Sequence, residues 1–291
     1  MRILLIQERG RHEKNREFRE TLRLAHGFQK AGAHAEVRGL NYEDPGKPLA
    51  AYANEFDVVF LLENYNDTGW VPDLSACKAF KIFWSIDSHC NLGEHLRTVD
   101  SMKPNLLLGS IESDLPKFEG IPHKLYFPNA YPDELIYPMP GLNKTVDIGF
   151  CGNPGSGERH AYINFLAQHY GPRFKFDNFV IGKDMVTSLN SCRIQFNRNL
   201  ANDINYRTFE AMGCKTLMVT NETENLSNLF KIGEHLLTYR DHNHLVEVLN
   251  WAISNPVEAA KIADAGYAHV KANHTYEVRC RWLLEQLKAL V

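Results

Sequence analysis

Two side chains three residues apart, Arg207 and Glu210, offer the most chemistry in this sequence. In a helix over residues 205–213 they share one face, because positions i and i+3 lie one above the other. A guanidinium grips a diphosphate through its fork of N–H donors, and a carboxylate accepts hydrogen bonds from two adjacent sugar hydroxyls. Together they suit a nucleotide-sugar. The same spacing also produces ordinary solvated ion pairs, which is the competing reading.

The surrounding residues supply the elements that would hold this pair. Phe209 and Met212 form a narrow apolar stripe, Asn205 or Asp203 stands where an N-cap is wanted, and Gly213 where a left-handed C-cap is wanted. Residues 216–220 then read as a strand buried on both faces. A helix feeding a buried strand is an α/β unit, whose ligands sit beyond the carboxyl ends of strands and near helix N-termini. Upstream, a strand over 146–150 runs into Cys151-Gly152-Asn153-Pro154-Gly155-Ser156-Gly157-Glu158-Arg159, with a helix expected over 160–170. Such a glycine-rich turn gathers backbone N–H groups at one spot and favours an anion, so Gly152, Asn153 and Arg159 are donor-binding candidates. The Lys-Ser/Thr of a Walker loop is missing. Further strands are expected over 174–181 and 192–196, and a short helix over 225–230. Asn199, beyond the second of these strands, and Tyr206 join the donor set.

The first half repeats the pattern. Residues 2–7, 57–62 and 81–86 read as buried strands, with 106–109 and 124–127 completing a parallel set. Phe18, Leu22, Ala25 and Phe28 recur at helical spacing up to Gly32, and Ala35 to Val37 begins another strand. Gly10 and His12 follow the first strand, Glu63, Asn64 and Asn66 a later one, and Asp87, Ser88 and His89 the next. The strand-end rule places Glu63, Asp87 and His89 on one rim of the sheet. Asp87 and His89 are candidates to take a proton from an acceptor hydroxyl, and His12 is a third. The plain structural alternatives are a turn cap for Asp87 and a rim hydrogen bond for His89. Gly10, Glu63 and Asn64 are the acceptor-side candidates. The glycine spacing of a dinucleotide fingerprint is absent, which disfavours a nicotinamide cofactor.

Residues 203–220, then Asn225-Leu226-Ser227-Asn228-Leu229-Phe230 and His274-Thr275-Tyr276, resemble the donor domain of GT-B glycosyltransferases. The resemblance is to the group-1-type family related to spore-maturation glycosyltransferase-like proteins, and it spans about residues 145–285. It implies two Rossmann-like doubly wound domains facing a cleft. The divisions would be an acceptor domain at 1–138, a donor domain at 139–273, and a helix over 274–291 returning to brace the first domain. Pro128-Asn129-Ala130-Tyr131 resembles the Pro-Asn-Gly-Val crossover of such enzymes, with Ala130 where glycine is usual. Pro128, Pro132, Pro138 and Pro140 suit a connector there. The implied reaction moves a sugar from a UDP-, GDP- or dTDP-linked donor to a hydroxyl of a glycan, protein or small molecule, with no cofactor and no required metal. In retaining members with a Glu-x7-Glu pattern, the earlier glutamate would fall at position 202, which is Asn202 here. Stereochemistry is therefore open. A non-hydrolysing nucleotide-sugar epimerase and a catalytically degenerate nucleotide-sugar-binding scaffold are the rivals.

The 291 residues, 44% hydrophobic and 23% charged, allow two domains with sizeable cores. A formal charge of −3 with no basic stripe weighs against nucleic acid. The apolar runs are of strand length, and no signal-peptide core is evident, so a cytoplasmic protein is expected. Six scattered cysteines without a C-x-x-C pair suggest neither a zinc site nor a disulfide scaffold.

Overall fold

The computed structural model describes residues 1–64 and 69–291; Asn66 lies outside the described residues. The chain divides into two compact units, Met1–Asn129 with Tyr276–Val291, and Ala130–Thr275. The changeover thus falls inside the proline-rich segment, with residues 130–138 grouped with the second unit rather than the first. His274 and Thr275 likewise stay with the second unit: the backbone N–H of Tyr131 donates to the His274 carbonyl at 3.2 Å, and Tyr131 bridges Thr275.

The first unit contains β1 (Arg2–Ile6), α1 (Glu20–Lys30), β2 (His34–Arg38), α2 (Leu49–Ala53), β3 (Val58–Leu62), β4 (Phe80–Ser85), α3 (Ser88–Met102), β5 (Leu106–Gly109) and β6 (His123–Tyr126). Its six strands are all parallel, in the order β2-β1-β3-β4-β5-β6. Parallel strands covered on both faces cannot alternate polar with apolar residues. Every residue of β3, Val-Val-Phe-Leu-Leu, is accordingly buried.

The second unit contains β7 (Val146–Cys151), α4 (Glu158–Tyr170), β8 (Phe174–Asp177), α5 (Gly182–Ser191), β9 (Cys192–Phe196), α6 (Tyr206–Gly213), β10 (Leu217–Asn221), α7 (Leu226–Leu229), β11 (Leu237–Tyr239), α8 (His242–Ser254) and α9 (Pro256–Asn273). Its five parallel strands run β11-β10-β9-β7-β8. Ile148, Phe150, Ile194, Phe196, Leu217 and Val219 share one core with α4, α8 and α9.

The last helix, α10 (Tyr276–Leu290), packs on α1 within the first unit. Gly27 permits the approach, since a Cβ there would meet the Tyr276 carbonyl oxygen at 2.9 Å and Cys280 Sγ at 2.8 Å. Arg279 Nε donates to the Pro128 carbonyl at 3.2 Å, and burial lowers its pKa to about 10.

Two local expectations fail at the centre of the second unit. Gly213 is not left-handed; it lies against the Tyr131 ring, where a Cβ would stand 2.5 Å from Cε2. The left-handed position is taken by Lys215, at φ 55°. Asn205 does occupy the N-cap of α6, yet its side chain makes no cap bond. It donates instead to Asn197 Oδ1 at 3.2 Å.

Candidate active site

In the second unit the chain moves to one side of β7 to form β8, then to the other for β9, β10 and β11. The point of reversal is the gap between the carboxyl ends of β7 and β9, where open α/β sheets take ligands. β7 ends at Cys151 and is followed by Gly152, at φ 148°, whose N–H donates to the Asp177 carbonyl at 3.1 Å. Gly155 and Gly157 follow with φ of 61° and 80°, and no atom stands within 4 Å of where a side chain would begin on either. Asn153 Oδ1 accepts from the Gly155 N–H at 2.8 Å, folding the loop on itself. Arg159, in the first turn of α4, joins both strand ends: Nε donates to the Arg198 carbonyl at 3.1 Å and one amino group to the Asn153 carbonyl at 3.3 Å.

Arg207 and Glu210 stand on α6 with an N–O distance of 2.7 Å, and their side chains are only 17% and 14% exposed. The two are thus paired with each other and partly buried rather than fully solvated. The second amino group of Arg207 lies 4.0 Å from where a Cβ on Gly152 would be, so the charged face of α6 is turned toward the glycine at the end of β7. Burial raises the Cys151 thiol pKa, although the Arg207 charge opposes it.

What fixes α6 is a web of amides. Buried Asn197 donates from Nδ2 to Asn199 Oδ1 (3.0 Å), Thr208 Oγ1 (3.3 Å) and Thr220 Oγ1 (3.2 Å), while its carbonyl accepts from Tyr239 OH at 3.0 Å. Asn199 Nδ2 donates to Thr220 Oγ1 at 3.2 Å, and its Oδ1 accepts from the Asn205 N–H at 3.3 Å. Asn199 thus anchors the start of α6 to the ends of β9 and β10. Tyr206 is half-buried at that helix start.

In the first unit the same reversal lies between β1 and β3. Gly10 follows β1 at φ 84°, and a Cβ on it would meet the Arg19 side chain at 3.2 Å. Asn64 Oδ1 accepts from the Glu8 N–H at 3.0 Å, tying the two strand ends together. Glu63 is 1% exposed and does not open toward solvent. One carboxylate oxygen accepts from the N–H groups of Ile86 (2.8 Å) and Asp87 (2.6 Å) and lies 3.1 Å from His95 Nε2; the other accepts from Asn91 at 3.2 Å. Ser85 Oγ stands 2.7 Å from the other nitrogen of that imidazole. Burial would raise the Glu63 pKa, but the His95 contact and the two backbone donors outweigh it and hold the carboxyl below its usual range. Asp87 sits at the N-cap position of α3 without a side-chain cap bond. His89 is half-buried in the first turn of α3, and His12 is exposed just before a 3-10 helix at Glu13–Phe18.

Residues 146–285, from β7 into α10, match the model of the family described as glycosyl transferase-like. Among solved structures, HepE from Anabaena, in complex with UDP and glucose, aligns with a TM-score of 0.69 at 15% identity, over 99% of this chain and 100% of that one. Sucrose-phosphate synthase from Thermosynechococcus elongatus gives 0.69 at 12% identity, covering 99% and 98%. A glycosyltransferase from Rickettsia africae gives 0.68 at 11% identity, covering 99% and 98%. The chain has the GT-B fold. A search of curated proteins finds no match.

Sequence reasoning names the two loops and the α6 pair of this GT-B chain as candidates and gives no role to Asn197, Thr208, Thr220, Ser85 or His95. Only the strand-end position of Asn197 hinted at its part; the others lie far apart in sequence and meet through the sheet. Arg198, just beyond β9, is not singled out by the sequence. It pairs with Glu158 at 2.5 Å and lies 4.6 Å from the centre of the Tyr162 ring, which stacks on His242 at 3.8 Å. No described helix is long and apolar enough to cross a membrane.

Proposed function

We propose that this protein transfers a sugar from a nucleotide-diphosphate donor to an acceptor hydroxyl, without a required metal. The reading is carried by the Arg207–Glu210 pair, largely withdrawn from solvent and turned toward Gly152 at the reversal point of the second sheet. On donor binding, Arg207 exchanges part of its contact with Glu210 for the diphosphate. It then offsets the charge that grows on the departing oxygen as the bond to the anomeric carbon breaks. Glu210 accepts hydrogen bonds from the ribose hydroxyls. Gly152 brings its backbone close to the ligand without a side chain in the way, and Arg159 stiffens both loops. The acceptor oxygen forms the new bond to the anomeric carbon. In an inverting reaction its proton passes to Asp87, His89 or His12 of the first unit. HepE was solved with UDP and glucose, which makes UDP the first nucleotide to test.

The test is calorimetric titration of UDP, GDP and dTDP into wild type, Arg207→Ala and Glu210→Ala. Each of the charge-assisted bonds lost should weaken the preferred nucleotide by about ten- to a hundredfold. Folded variants that bind it as wild type does would remove both roles.

A further inference from the structure

The loop leaving β1 narrows the class of acceptor, provided that the glycosyl-transfer reading holds. Between Glu8 and α1 the sequence places Arg9, Arg11, Lys14, Arg16 and Arg19, with Glu8, Glu13, Glu17 and Glu20 among them. Arg19 is buried and claims two of those carboxylates, Glu8 and Glu20, each at 3.1 Å. Arg9, Arg11 and Arg16 are left without a carboxylate partner among the described residues. Arg9 lies 5.8 Å from the centre of the Tyr42 ring and stays exposed. Arg11 is exposed, and with Arg19 its charge opposes the rise that burial imposes on the Glu8 pKa. Arg16 is half-buried, with Nε enclosed and lacking a hydrogen-bond partner. Glu13 and Glu17 are exposed on the same short helix yet take up none of the three.

An enclosed guanidinium N–H without an acceptor is costly unless a ligand supplies one. The segment that carries these arginines leaves the carboxyl end of β1, beside the reversal point between β1 and β3, where a ligand of this sheet is expected. The guanidinium fork matches phosphate and carboxylate oxygens in pairs, which an ammonium does not. We propose that Arg9, Arg11 and Arg16 bind an anionic group, phosphate or carboxylate, carried by the sugar acceptor.

The experiment titrates glucose 6-phosphate, glucuronate and glucose into the whole chain with UDP saturating, so that the diphosphate site of the second unit is filled. At least one anionic sugar should bind about tenfold or more tightly than glucose, the effect of one or two charge-assisted bonds. Arg11→Ala/Arg16→Ala should abolish that preference and leave UDP affinity within about twofold. Equal binding of the three sugars overturns the proposal. So does a variant that loses UDP as strongly as the sugar phosphate, because the anion would then be the donor's diphosphate. If loss of Arg16 prevents folding, Arg9→Ala/Arg11→Ala, at two exposed positions, gives the same reading. Titrated without UDP, Arg207→Ala separates the two ideas: unchanged UDP binding there ends the donor assignment alone, while the sugar preference decides the acceptor assignment by itself.

Discussion

Replacing Glu63 with Gln keeps the shape of a side chain on which the end of β4 depends. The carboxylate receives three hydrogen bonds, from Ile86, Asp87 and Asn91, besides its contact with His95. Hydrogen bonds to a charged acceptor contribute about 1.5–3 kcal/mol and neutral ones about 0.5–1.5, so losing the charge costs about 1 kcal/mol per bond, or about 3 in all. For a unit of this size that corresponds to a fall of roughly 6–12 °C in its melting temperature. The pH dependence has a fixed sign. The Glu63 pKa is lowered in the folded state, so its stabilisation is fully present above the unfolded value near 4.5 and disappears as pH falls through the folded value. The gap between wild type and Glu63→Gln should therefore be wide at pH 7 and close below pH 4.5. Scanning calorimetry of both proteins across this pH range measures it. A gap under about 0.5 kcal/mol at pH 7, or one that does not narrow in acid, would refute the claim that the charge holds this turn.

Gly213→Ala should cost about 1–3 kcal/mol by driving a methyl group into the Tyr131 ring, read as a lower urea midpoint. Lys215→Gly should stabilise the second unit by up to about 1 kcal/mol and so raise that midpoint, because it relieves a left-handed non-glycine residue while losing an exposed contact with Asp264 at 2.9 Å. Asn197→Ala should destabilise the second unit by about 1–3 kcal/mol, since Asn199, Thr208, Thr220 and Asn205 lose a partner while the bond from Tyr239 to the backbone carbonyl remains. Hydrogen exchange should show that loss concentrated at the start of α6.

Strand runs were legible because strands buried on both faces are largely apolar, as β3 is throughout and β10 is over Leu217–Val219. The α3 and α5 helices escaped notice. Each carries polar residues among its apolar ones, and α3 is interrupted at Asn91, which has φ −122° and ψ 20°. Gly213 was correctly singled out for the wrong reason: a glycine near a helix end is usually a cap, and only the position of Tyr131 shows that it serves close packing.

The sequence by itself determined that two α/β units follow one another, that glycine-bearing loops follow the first strand of each, and that Arg207 and Glu210 share a helix face. Those are consequences of periodicity and local spacing. The tertiary structure decided which polar groups are spent inside the protein. Glu63 and Asn199, equally plausible as ligand-binding residues in the sequence, hold backbone and amide groups brought from distant segments. Arg9, Arg11 and Arg16, unremarkable in a chain of net charge −3, have no carboxylate partner among the described residues, while Arg19 pairs with Glu8 and Glu20. A hydrogen bond requires its partner within about 3 Å, and contacts between residues far apart in sequence are set by the sheet order, not by spacing along the chain.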